Sequence, residues 1–139
     1  MTDFADEIRS RGHWQVLIRP TVFNAVRVPD IAALYPIIER TSVQLRGWDY
    51  PHVSRRDEVK IDIEWVGQAT KWEHHRELWR LYQSGQFLDL SNLWDDWRDH
   101  SDLWPPENGW KPGQRLGIGD TLFRLTEIFE FAARLATSP

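Results

Sequence analysis

The sequence contains no cysteine and a single methionine, and no stretch of it approaches the about 18 consecutive apolar residues of a membrane span. Without cysteine, disulfides, thiolate zinc sites and cysteine nucleophiles are excluded. The first seven residues are acidic and lack the apolar run of a signal peptide. These absences predict a cytoplasmic protein with no membrane partner.

A basic excess is also missing. The formal net charge is −4, and nucleic-acid binders are usually basic, so a nucleic-acid partner is not favoured. A length of 139 residues fits one domain, and folding at this size hides roughly 68–70% of the surface that the unfolded chain exposes. We therefore expect residues 1–139 to form a single domain with its own core.

Tryptophan, in contrast, occurs nine times. Trp14, Trp65 and Trp79 lie on predicted apolar faces, which favours a place in the core. The others near loops or among aspartates have two interpretations: they pack around the core, or they are exposed binding residues, where tryptophan is enriched. These residues are Trp48, Trp94, Trp97, Trp104 and Trp110.

Strands are predicted where apolar and polar residues alternate. The clearest case is 59–65, in which Val59, Ile61 and Ile63 alternate with charged residues. Similar but weaker patterns predict strands at 14–18, at about 42–48 and at 86–90. The expected sheet therefore has about four strands.

Helices are predicted to pack against this sheet. A Thr-x-x-Glu capping box at Thr70 begins a helix to about Gln83, with His75 and Trp79 on its apolar stripe. A last helix over 120–136 is apolar nearly all round, which is typical of a helix that is buried or docks on a partner. Its polar stripe consists of Arg124, Glu127, Glu130 and Arg134. The order of elements predicts an α+β fold: a mixed sheet with helices against it, and a loop-rich C-terminal half ending in a buried helix.

One short motif suggests catalysis. Asp49 followed by Glu58-Val59-Lys60 resembles nucleases of the Asp…Glu-x-Lys type, over roughly residues 30–90. The resemblance implies that Asp49 and Glu58 hold Mg²⁺ and that Lys60 positions a water. The same alternation continues beyond Lys60, so Glu58 and Lys60 are equally explained as the solvated face of a strand.

Two corners of the chain combine aromatic and polar residues. One is Arg46 to Pro51, at a predicted strand end, where sites are often built. The other runs from Tyr82 to Phe87. If the two meet at His75, they form a pocket with aromatic walls and a few polar groups, which is typical of a ligand site. The candidate residues are Arg46, Trp48, Asp49, Tyr50, His75, Tyr82 and Gln86.

No metal or cofactor is predicted, except the Mg²⁺ of the nuclease hypothesis. Adjacent His74 and His75 on a helix point about 100° apart and cannot share an ion. The leading interpretation is a non-catalytic binding or interaction module of a larger system. It would contact a protein partner through 94–110, including Trp94 and Trp97, with a second site at Arg46–Pro51. The alternatives are the Mg²⁺-dependent nuclease and a small-ligand binder that stacks an aromatic ring or nucleotide on Trp48 or Tyr50.

Overall fold

A five-stranded antiparallel sheet forms the centre of the protein. The computed structural model describes residues 2–53, 56–100 and 111–138. The strand order is β1-β5-β4-β3-β2, with β1 at His13–Ile18, β2 at Lys60–Ile61, β3 at Trp65–Trp72, β4 at His75–Tyr82 and β5 at Phe87–Asn92. The predicted α+β class is confirmed. The sheet has five strands rather than about four, and every pairing is antiparallel, so it is not mixed.

Helices cover both faces of the sheet. They are α1 at Thr2–Arg9, α2 at Leu34–Thr41 and α3 at Ile118–Thr137, with 3-10 turns at Ile31–Ala33, Arg56–Glu58 and Trp94–His100. Helix α1 contacts β4 and β5, while α2 and α3 contact each other on the opposite face. In the described part of the chain, no helix combines the length and apolarity needed to cross a bilayer.

The predicted helix over 70–83 is wrong, because these residues belong to the β3–β4 hairpin. Trp72 pairs with His75, and Glu73 and His74 form the turn between them. Glu73 has φ 49°, in the left-handed region that tight hairpin turns use. The capping-box pattern at Thr70 therefore lies in a strand and its turn.

Two predicted strands are also wrong in extent. In 42–48 only Val43 pairs, through an isolated bridge to Tyr50. In 59–65 only Lys60 and Ile61 form a strand before Trp65 begins β3, and Ile63 between them is 86% exposed. An alternating pattern produces a strand only where another strand is available to pair with it, and β2 pairs with just two residues of β3.

The face of the sheet that packs against α2 and α3 is apolar at one end and polar at the other. At one end Trp79, Leu81 and Phe87 join a buried apolar cluster with Phe131 of α3. At the other end β4 and β5 present buried polar side chains, including Glu77 and Asp89.

Helix α3 matches this change. Phe131 packs at the apolar end, while Arg124 and Glu127 are buried on the same side of the helix. The prediction of a buried last helix is therefore wrong for its apolar face: Leu122 and Phe129 point outward and are exposed.

The segment after β5 is also tied to the core. Trp97 is fully buried, and its Nε1 donates to the carbonyl of Gly12 at 3.0 Å. The interpretation of Trp97 as an exposed contact residue is wrong for this reason. Trp104 and Trp110, which have the same two interpretations from the sequence, lie outside the described residues.

Candidate functional site

A cavity of about 650 Å³ lies beside the polar end of the sheet. Its walls come from the loop after α2, the start of β4, the end of β5 with the following 3-10 turn, and the first half of α3. Three aromatic rings line it, those of Trp48, Trp94 and Phe123. Its polar lining includes Arg46, His75, Asn92, Asp95, Asp120, Arg124 and Glu127.

Buried charged groups support one wall of the cavity. Burial raises the pKa of Glu77, but the His75 imidazole and the Arg124 guanidinium outweigh it, so this pKa lies below its ordinary value. Burial and the charge of Glu77 raise the pKa of Asp89 well above its ordinary value. Glu77 is therefore ionised and its charge favours the nearby Arg124 guanidinium, while Asp89 holds its proton more tightly than a free aspartate does.

Arg46 connects the loop to α3. Its Nη1 donates to Asp120 Oδ1 at 2.5 Å, and its Nη2 donates to Glu127 Oε1. The guanidinium lies over the ring of Phe123, 5.3 Å from its centroid. Because both carboxylates belong to α3, Arg46 fixes the loop against the helix that carries Arg124.

Three buried polar atoms of cavity-lining residues have no hydrogen-bond partner within the described ranges. They are Trp48 Nε1, His75 Nε2 and Arg124 Nε. His75 Nε2 lies 3.6 Å from Glu77 Oε2, close enough for a charge interaction but beyond a hydrogen bond. An unpaired buried polar atom costs about 1–3 kcal/mol, so a cluster of three requires an explanation.

Trp48 is held in place by aromatic neighbours. Its ring stacks on His52 at 4.1 Å between centroids and on Trp72 at 5.5 Å. His75 meets it edge-on at 5.0 Å. Because its ring is already stacked within the protein, Trp48 offers the cavity no free stacking face, while its buried N–H group has no partner within the described ranges.

Of the residues predicted from the sequence, Arg46, Trp48, His75 and Trp94 do come together in this cavity. Tyr50, which was predicted to stack a ligand ring, is fully buried and packs edge-on against Phe131 at 5.8 Å. It therefore presents no face to a ligand.

The second predicted corner does not reach the site. Tyr82 lies seven residues along β4 from His75, a separation of about 23 Å in a strand. Tyr82 lines a different cavity beside Val22. Gln86 accepts a hydrogen bond from Tyr82 N at 2.9 Å, which closes the β4–β5 hairpin. The predicted meeting of the two corners is wrong because they occupy opposite ends of β4.

The three residues of the nuclease motif do not all lie on the two strands that the resemblance implies. Asp49 and Glu58 are not carried by strands, and Lys60 Nζ lies over the Trp65 ring, 5.7 Å from its centroid. In the part of the chain that the structure describes, no group of three ligating side chains could hold a metal ion. The strand arrangement on which the resemblance depends is absent.

Asp49 instead organises its own loop. Its Oδ1 lies 2.6 Å from His52 Nδ1, and its Oδ2 accepts from Val53 N at 2.9 Å. Burial lowers the pKa of His52, but the hydrogen bond and charge of Asp49, with the charges of Glu77 and Glu58, outweigh burial and raise it above the ordinary value.

We expect Asp49→Asn to lower the pKa of His52. Because this pKa in the folded protein lies above the unfolded value of about 6.5, the imidazolium stabilises the fold fully below that pH, and the contribution is lost as pH rises through the folded pKa. A histidine NMR titration measures the change. Asp62→Asn, in the β2–β3 turn, is the control. An unchanged His52 titration in Asp49→Asn would rule out the pairing.

Five charged residues of this region are not predicted as site residues from the sequence: the buried Glu77, Asp89, Arg124 and Glu127, and the half-buried Asp120. The sequence feature that could have identified Arg124 and Glu127 is the polar stripe on an otherwise apolar last helix. Comparison with protein-family models, with curated proteins and with solved structures finds no match. The function is therefore argued from the site alone.

Proposed function

We propose that this chain is a binding module that takes a small, uncharged, carbonyl-bearing ring into the cavity, of the kind that a nucleobase or nucleoside presents. The observation that carries the proposal is the set of unpartnered atoms of Trp48, His75 and Arg124, all on residues that line one cavity. The indole and guanidinium groups are donors, and the imidazole is a donor or an acceptor according to its tautomer. A ligand with acceptor oxygens and nitrogens satisfies such groups.

The charge of the lining argues for an uncharged ligand. Two guanidinium groups, of Arg46 and Arg124, face three carboxylates, of Asp95, Asp120 and Glu127, which gives a formal charge of −1. Arg46 already donates to two of these carboxylates. Adding a phosphate or carboxylate to a net negative cavity is unfavourable, whereas carbonyl oxygens accept hydrogen bonds without adding charge.

The size and shape of the cavity fit a ring of this kind. A volume of about 650 Å³ lies within the ~300–1,000 Å³ typical of small-molecule sites. Trp94 and Phe123 add aromatic walls to a cavity whose lining also carries the donor residues. Aromatic walls with a few fixed polar groups orient a flat ligand and give it specificity.

Titration calorimetry with adenosine, guanosine, cytidine and uridine tests the proposal. We expect saturable binding of at least one nucleoside, and weaker binding of its 5′-monophosphate because of the added negative charge. Trp48→Phe keeps an aromatic ring but removes the N–H donor, so affinity should fall about three- to tenfold, the value of one hydrogen bond.

Trp72→Phe is the matched control, because Trp72 stacks on Trp48 but does not line the cavity. It should leave nucleoside affinity unchanged. No saturable binding of any of the four nucleosides, or an equal loss of affinity in Trp72→Phe, would contradict the proposed function.

A further inference from the structure

Helix α3 carries an apolar stripe on its solvent side. Ile118 is 79% and Phe129 72% exposed. The stripe repeats at three- and four-residue intervals over five helical turns, so it runs straight along the helix. Contiguous exposed apolar surface of this kind marks an interaction site. This outer stripe consists of Ile118, Leu122, Leu125, Phe129, Ala133 and Ala136, all exposed.

The helix cannot turn to bury this stripe within its own chain. Arg124 and Glu127 face inward, where Glu127 accepts from Arg46 and Arg124 balances Glu77. Rotating α3 would expose Phe131, which is fully buried in the apolar cluster. Among the described residues, the outer stripe therefore has no part of the chain packed over it and is open to another molecule.

Side-chain size along the stripe suits an antiparallel copy of the same helix. The large residues Ile118 and Leu122 lie in its first half, and the small residues Ala133 and Ala136 in its second half. Across a two-fold axis near residue 127, Ile118 and Leu122 lie opposite Ala136 and Ala133 of the other copy, while Leu125 lies opposite Phe129 at the centre. A parallel pairing would place alanine opposite alanine, leave gaps, and align the helix dipoles unfavourably.

An apolar cavity at the C-terminal end of the stripe could receive side chains of the second copy. It measures about 670 Å³, and Val22, Leu135 and Ala136 line it. At the other end of α3, Leu116 and Ile118 are exposed. Antiparallel pairing brings that exposed end of one copy to the cavity of the other, at both ends of the interface.

The exposed apolar area is of the size that a stable dimer needs. Full burial of one aromatic side chain hides about 150–250 Å², and Phe129 leaves most of its own exposed. Together with Leu116 and Val22 the outer stripe offers on the order of 700–800 Å² per copy, close to the ~800 Å² per partner of a standard interface.

We propose that the occupant is a second copy of this chain, and that two copies of α3 pair antiparallel about a two-fold axis near residue 127. The interface is isologous, with the same surface on both subunits. It uses the outer face of α3 and is independent of the cavity proposed for the ligand.

Sedimentation of the full chain tests this pairing. We expect a species of twice the 16.5 kDa chain mass. Phe129→Glu should raise the dimer dissociation constant at least about 30-fold, as expected for a central interface residue. Ile63→Glu, an equally exposed apolar position in the β2–β3 turn, should leave it unchanged. A monomer at all concentrations, or an undisturbed Phe129→Glu dimer with a native circular dichroism spectrum, would overturn the proposal.

The orientation is tested by single cysteines in this cysteine-free chain. Thr126→Cys lies beside the axis, so a short bismaleimide should cross-link its two copies. Gly119→Cys lies eight residues from the axis, which separates its copies by roughly 24 Å. It should not cross-link. Cross-linking of both variants would indicate parallel helices, and cross-linking of neither would place the interface elsewhere; each result overturns the proposed pairing.

Discussion

Trp97→Ala should lower the free energy of unfolding by about 3–5 kcal/mol, the cost of removing a large buried aromatic side chain. Trp97 is fully buried, and its indole donates to Gly12 O. The guanidinium of Arg11 lies over its ring, 5.1 Å from the centroid. Urea denaturation followed by circular dichroism measures the loss.

Trp72→Ala is the matched control, because Trp72 is 57% exposed at the end of β3. Its loss should be several-fold smaller than that of Trp97→Ala. If Trp97→Ala left stability nearly unchanged, Trp97 would be the exposed contact residue that its sequence neighbourhood suggests, and the placement of 94–100 against β1 would be wrong.

The surroundings of Trp97 explain why its burial could not be predicted from sequence. Neighbouring aspartates suggest solvent, yet Asp96 is itself fully buried, where its Oδ2 accepts from Gly12 N at 2.7 Å and from Gly113 N at 2.5 Å. These partners are 84 and 17 residues away in the chain. Burial of a charged residue depends on such distant donors, which local composition does not reveal.

The same limit affects the secondary structure. The prediction of β1 from alternation at Trp14, Val16 and Ile18 is confirmed, because its inward residues are apolar. In β4 the inward residues include Glu77. A charged residue at an inward position interrupts the alternation of apolar and polar residues by which a strand is predicted. The apolar residues that stay visible there also fit a helical stripe, which led to the wrong helix.

The candidate site was predictable only in part. Local chemistry pointed to Arg46 and Trp48 because aromatic and charged residues rarely concentrate at a turn without a role. The sequence pattern selects His75 as part of a predicted helix, whereas the residue lies at the start of β4. Glu77 and Arg124 interact electrostatically only because the sheet and α3 bring them near each other, although they are 47 positions apart in the sequence.

Glu77→Ala should destabilise the fold by about 3–5 kcal/mol, because it removes a buried carboxylate whose charge compensates the buried guanidinium of Arg124. Arg124, only 8% exposed, would lose the carboxylate charge that most favours its ionised form. His52 N, which donates to Glu77 Oε2 at 3.0 Å, would also lose its acceptor. Glu130→Ala, which removes an exposed i,i+4 partner of Arg134, should cost well under about 1 kcal/mol.

The pH dependence separates the charge of Glu77 from its packing. Because the folded pKa of Glu77 lies below its unfolded value, its ionisation stabilises the fold above the unfolded pKa, and this contribution is lost as pH falls through the folded pKa. The cost of Glu77→Gln, which preserves shape, should therefore be largest near neutral pH and shrink in acid. Arg124→Met in the same background should recover part of the loss at neutral pH, because no unpaired charge is left buried. A cost that is independent of pH, or additive effects of the two substitutions, would show that Glu77 acts through packing alone.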